Sequence, residues 1–197
     1  MQRTHRRVLD VSAKLAKENG FAAVSVDDLM AGAGLTGGAF YAHFRSKDAL
    51  FAELITRELA HSAEMLSPRD GQPQGEWLSR LLDLYLSSAH VSHPGTGCVI
   101  AALGSEIARA DSKVRAAFEK SMVALQENWT ERLGDSDLAW STICQLVGAV
   151  VVARAMNSRS VVDQVVGANR AQIERATKRR VPRRSSTARG SRRARAK

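Results

Sequence analysis

The stretch Thr36-Gly37-Gly38-Ala39-Phe40-Tyr41-Ala42-His43-Phe44 carries donors and small side chains in the order that a helix entering a DNA groove needs. Tyr41 and His43 can each donate to a phosphate oxygen, and Lys47 can pair with one. Gly37, Gly38 and Ala39 keep the first turn narrow, so that backbone amides can approach a phosphate where the helix dipole favours an anion. Phe40 and Phe44 are expected to anchor the stretch on a core. Plainer roles remain open: Tyr41 as a core aromatic with a wet hydroxyl, His43 as a packed and satisfied histidine. With no arginine or asparagine here for a bidentate base contact, direct readout is expected to be sparse, and groove shape to supply part of the specificity.

The surrounding pattern positions this stretch. Residues 3–19 read as an amphipathic helix, with Val8, Leu9, Val11, Ala13, Leu15 and Ala16 as its apolar stripe. Gly20 ends it as a left-handed cap. Ser25 and Asp28 form a capping box for a second helix, Val26 to Ala33. Gly34 supplies the positive φ of a tight turn, Leu35 plugs it, and Thr36 is expected to cap the third helix, completing a helix-turn-helix. Ser46 caps a long fourth helix running to about Leu66.

Read in order, Gly20-Phe21, Ser25-Val26-Asp27-Asp28-Leu29, Ala33-Gly34-Leu35-Thr36, Phe40-Tyr41-x-His43-Phe44 and Ser46-Lys47-x-x-Leu50 resemble the N-terminal domain of the TetR/AcrR family of bacterial transcriptional regulators. The resemblance covers roughly a quarter of the chain and is specific through the ordered combination. It implies a DNA-facing set of Ser25, Thr36, Gly37, Gly38, Ala39, Tyr41, His43 and Lys47, the tyrosine and lysine being phosphate contacts in the family. Ala39 stands where many relatives carry a small hydroxyl residue, which removes one potential base contact. The resemblance further implies a repressor that binds a palindromic, double-stranded operator as a homodimer and is released by a small-molecule effector.

The remainder has the same helical period, and the fold class expected is all-α with about nine helices. Domains are expected at 1–46 (helix-turn-helix), 47–66 (connecting helix), 67–177 (effector binding and dimerisation) and 178–197 (disordered basic tail). A Pro/Gly break at Ser67 to Gly75 precedes a fifth helix carrying Trp77, Leu81 and Tyr85 and ending at the turn Ser92 to Gly97. Cys98 to Ala110 is a sixth. Asp111 caps a seventh that Gly134 closes, and Ser160 and Asp163 open a ninth. The eighth is apolar almost all round from Ile143 to Ala153, which calls for cover on two sides and supports a dimer through the last two helices. Candidate effector-lining residues are Trp77, Leu81, Tyr85, Cys98, Phe118, Met122, Trp129, Trp140 and Gln145, each with core packing as its plainer role; the aromatics point to an apolar or aromatic effector. Cys98, at a predicted helix start, reads either as a thiol that senses electrophiles or oxidants or as a small buried hydrophobe. Cys144 is expected to be packing.

The net charge of +9 is misleading. Residues 178–197 hold ten cations and no acid, which leaves 19 basic and 20 acidic residues, a balance of −1, in residues 1–177. The case for DNA therefore rests on geometry. The tail suits salt-dependent, sequence-independent affinity, and an architectural nucleic-acid-binding protein dominated by it is the rival reading. No cofactor, metal site, enzymatic motif or membrane partner is expected, and two cysteines without a secretory leader indicate the cytoplasm.

Overall fold

The computed structural model describes residues 2–69 and 71–179. Its elements are α1 (Gln2–Asn19), α2 (Val26–Gly32), a 3-10 helix (Gly37–Ala42), α3 (Lys47–Leu66), α4 (Gln74–Tyr85), α5 (Ser88–Ser92), a 3-10 turn (Pro94–Thr96), α6 (Val99–Arg109), α7 (Ser112–Leu133), α8 (Ser136–Arg154) and α9 (Arg159–Arg179). Among the described residues there are no strands, and the class is all-α.

Most helix ends follow local chemistry. Ser25 accepts the Asp28 amide while Asp28 accepts the Ser25 amide, closing the capping box. Ser46, Asp111 and Asp135 cap α3, α7 and α8 through side-chain oxygens. Gly20 and Gly34 take φ of +85° and +67°, which lets the chain turn sharply after α1 and between α2 and the 3-10 helix.

Several expectations are corrected. The third helix is a 3-10 helix of six residues, and Thr36, extended at its start, makes no side-chain cap. Two glycines in its first turn favour no helical conformation, and the bonds from Ala39 N–H to Thr36 O and His43 N–H to Phe40 O tighten it. The expected fifth helix is split, because the Ser87 hydroxyl accepts the His90 amide and starts α5 afresh. Lys178 and Arg179 belong to α9 rather than to a tail: buried Ile173 and Thr177 hold its last turns, with the Thr177 hydroxyl donating to Ile173 O at 2.8 Å. The expected disorder of the remaining tail, 180–197, lies outside the described residues. Cys144 is exposed, because α8 buries only the face bearing Leu138, Ala139, Ile143, Leu146 and Val150. Over an 18-residue window α8 has a mean hydropathy of 1.5, and by length and composition alone it would be able to cross a membrane, a test that a core helix also passes.

One core runs through both ends of the molecule. In the N-terminal head, Leu29, Met30, Phe40, Phe44 and Leu50 pack between α1, α2 and α3. In the body, Trp77 meets Trp129 edge-on at 5.2 Å, and its indole N–H donates to Leu66 O. Between head and body lies a buried polar junction. The Lys17 ammonium donates to Glu58 at 2.7 Å and to Gly97 O at 3.2 Å. His90 bridges Tyr85 O through Nδ1 (2.6 Å) and accepts the Cys98 amide at Nε2 (3.0 Å), a pairing that requires the neutral ring with its proton on Nδ1. Arg154, from the end of α8, donates to the carbonyls of His90 and Val91.

This junction predicts a pH dependence. Burial is the main cause holding the His90 pKa below its ordinary 6.5, with the Arg154 and Lys17 charges acting in the same direction against the bond to Tyr85 O. The unfolded chain therefore binds the proton more readily, so stability is full above about pH 6.5 and declines as pH falls from there toward the lowered folded value. Thermal midpoints measured from pH 8 to pH 5 should fall on the acid side, and His90→Gln should flatten that fall; an equal slope in the variant would contradict it.

Candidate nucleic-acid interface

The helix-turn-helix is built from α2, the turn at Gly34 and the 3-10 helix. Leu35 closes the turn, its amide donating to Met30 O at 2.9 Å. Phe40 is fully buried and Phe44 nearly so, their rings 5.6 Å apart, and together they pin the 3-10 helix to the head core. Tyr41, between them, is 74% exposed and meets Phe40 edge-on. Its side chain is thus presented to solvent from an anchored segment, and Tyr41 is not a core aromatic.

The other DNA-facing candidates are distributed unevenly. Thr36 and Gly38 are exposed, and Ala39 packs against the core. A Cβ placed on Gly37 would lie 1.8 Å from Asp27 Oδ1, so the Asp27 carboxylate already sits against the start of the 3-10 helix where a phosphate was expected. The glycine at 37 is explained by this crossing of α2. Ser25 is exposed, but its hydroxyl is committed to Asp28, and these bonds hold the Asp28 carboxyl below its ordinary range. Lys47 is turned inward: its ammonium donates to Ala22 O at 3.3 Å and lies 4.9 Å over the Phe21 ring. His43 is half-buried, with its ring centroid 6.1 Å from that of His5.

Residues of α1 that the sequence pattern did not single out join this face. His5 stacks on Phe44 at 4.6 Å and bonds Glu53 at 2.7 Å. Arg6 lines a cleft of about 840 Å³ with His5, Ala42 and His43. Arg7 approaches the turn, its Nη2 lying 4.0 Å from a Cβ built on Gly34. The basic start of α1 was the available signal, but only the packing of α1 against the head brings Arg6 and Arg7 beside a recognition stretch without any cation of its own.

The effector candidates do not form one site. Trp77, Leu81, Tyr85, Cys98 and Trp129 are fully or almost fully buried, Met122 is buried, and Phe118 packs at the core edge. Trp140 instead faces outward from α8, and Gln145 donates to Asn169 of α9 at 3.0 Å. A cavity of about 450 Å³ opens on the adjacent face of α4, lined by Leu78, Ser79 and Leu82 with Thr177 and Lys178 of α9. Cys98 precedes α6 and is fully buried. Burial, reinforced by the neighbouring Cys98 thiol, pushes the Tyr85 phenol well above its ordinary range.

Residues 8–54 match the family model for bacterial regulatory proteins of the tetR family. The HTH-type transcriptional repressor NemR of Escherichia coli K12 is 26% identical over 120 residues, which is 59% of this chain and 60% of that protein. The HTH-type transcriptional regulator AcrR of Shigella flexneri is 29% identical over 85 residues, or 43% and 40% of the two chains. The matched part is thus less than two thirds of either relative's length. Likeness of fold extends further. The crystal structure of reduced E. coli NemR superposes with a TM-score of 0.70 at 20% identity, covering 88% of this chain and 96% of that one. The regulatory protein TetR from Rhodobacter sphaeroides gives 0.74 at 19%, covering 87% and 97%. The helix-turn-helix of this chain thus matches the tetR family of bacterial regulatory proteins in sequence, and its whole helical body matches solved structures of that family in fold.

Proposed function

We propose that the protein is a homodimeric repressor that binds a palindromic operator in the cytoplasm and is released by a small molecule. The observation that carries the reading is Tyr41, held out to solvent by buried Phe40 and Phe44 on the second element of a helix-turn-helix. A phenol so placed donates to a phosphate oxygen and fixes the register of the head on the duplex. Gly38 leaves open space beside it, while Arg6 and Arg7 bring positive charge to the flank.

Pairing of two heads requires a dimer, and α8 offers its surface. Trp140, Cys144, Val151 and Val152 lie exposed along the outer face of α8, with Val161 exposed near the start of α9. A second copy packing there as a four-helix layer would cover this apolar stripe and also accounts for the hydropathy of α8. For the effector, the cavity between α4 and α9 is of ligand size, and its apolar floor suits a small, mostly apolar molecule. The buried aromatic candidates serve the core.

Selection of duplexes from a random pool is expected to recover a palindrome whose binding survives excess random DNA. Tyr41→Phe should weaken binding by roughly tenfold or more, similarly on all sequences, because it removes a charge-assisted contact to phosphate rather than to a base. Recovery of no preferred sequence would sink the reading and favour the architectural alternative, whose tail lies outside the described residues.

A further inference from the structure

We propose that Glu106 of α6 sets the angle of the head on the body and thereby the half-site spacing that the dimer accepts. The inference rests on the dimeric operator-binding reading.

The head continues into the body through α3, and a single helix leaves rotation about its own axis to be stopped by other contacts. Two polar fastenings do so, both along α6. Just before its start, Gly97 O accepts the Lys17 ammonium of α1. Two turns further, the Glu106 carboxylate accepts two successive amides of the turn that follows α1: Phe21 N–H at 2.9 Å on Oε1 and Ala22 N–H at 3.0 Å on Oε2. Each oxygen takes one donor, and an ionised acceptor makes both bonds stronger and more directional than neutral ones.

The gripped turn is rigid within the head. Phe21 packs on Phe51 with ring centroids 4.4 Å apart, and Lys47 holds Ala22 O. A Cβ on Gly20 would stand 3.1 Å from Glu106 Oε1, so the carboxylate seats directly against the turn. Around it, however, lies a cavity of about 430 Å³ bounded by Phe21, Ala22, Lys47, Arg109 and Val114. On that open side the Glu106 carboxylate joins the turn to α6, and through it a displacement of α6 is carried to the head.

Glutamine at 106 would keep one acceptor and set its NH₂ against the second amide; alanine would keep neither. Two measurements on the full-length chain decide the matter. Amide hydrogen exchange without DNA should show Phe21 and Ala22 protected in the native protein and faster in Glu106→Gln and Glu106→Ala. On the selected palindrome and on duplexes with one base pair inserted or deleted between half-sites, the native dimer should lose roughly 100-fold in affinity at the wrong spacing, since only one head can engage. The Glu106 variants should lose less than about tenfold there, while both retain binding at the native spacing. Faster exchange with undiminished spacing discrimination would overturn the proposal, as would unchanged exchange. Failure to select any palindrome would count against the operator reading instead, and exchange would still test the grip.

Discussion

Replacing Glu58 with alanine is expected to lower stability by about 3–5 kcal/mol, the range for removing one partner of a buried ion pair. For a chain of this size that corresponds to a fall in thermal midpoint of roughly 6–20 °C. The Lys17 and Glu58 side chains are only 5% and 10% exposed and meet at 2.7 Å. Without the carboxylate, the ammonium keeps only Gly97 O as a partner within a junction that also holds neutral His90 and the Arg154 cation. The double variant Lys17→Met/Glu58→Leu should recover most of the loss, because replacing both charges with apolar groups removes the desolvation penalty along with the attraction. A calorimetric midpoint within about 1 °C of native for the single variant would mean that water reaches the pair and that α1 is not fastened to the body through it.

Phe40→Ala should abolish operator binding while also costing about 3–5 kcal/mol, the usual range for emptying a fully buried phenylalanine site. Phe40 anchors a helix of only six residues, and its ring is what Tyr41 meets at 5.3 Å. The cavity would let the 3-10 helix settle inward and withdraw the Tyr41 hydroxyl from the surface. Comparison with Tyr41→Phe separates the two roles: that variant should retain the native melting midpoint and lose affinity only. If Phe40→Ala, assayed below its melting transition, still bound the palindrome at native affinity, the presentation of Tyr41 would not depend on this anchor.

The helical periods, the capping residues Ser25, Ser46 and Asp111, and the glycines at 20 and 34 were legible in the sequence, since each is decided by atoms within a few residues of chain. The alternation of anchor and presented residue in Phe40, Tyr41 and Phe44 was legible for the same reason. The 3-10 form of that segment was not, because Gly37 and Gly38 are as compatible with one short helix as with another until packing selects it.

The rest depends on which distant surfaces meet. Glu106 looks like an ordinary surface residue of an amphipathic helix until a turn 85 residues earlier in the chain is laid across it. The same holds for Lys17 with Glu58 and for Asp27 over Gly37. Exposure is decided in this way too: Cys144 and Trp140 read as core in an apolar helix, yet one molecule covers only one side of α8. Periodicity shows that a helix has an apolar face, because side chains recur every 3.6 residues, but not which neighbour covers it. Local chemistry thus specified the helices and the head's motif, whereas the fastening of head to body arises from long-range contacts whose free energy exists only once the chain has closed on itself.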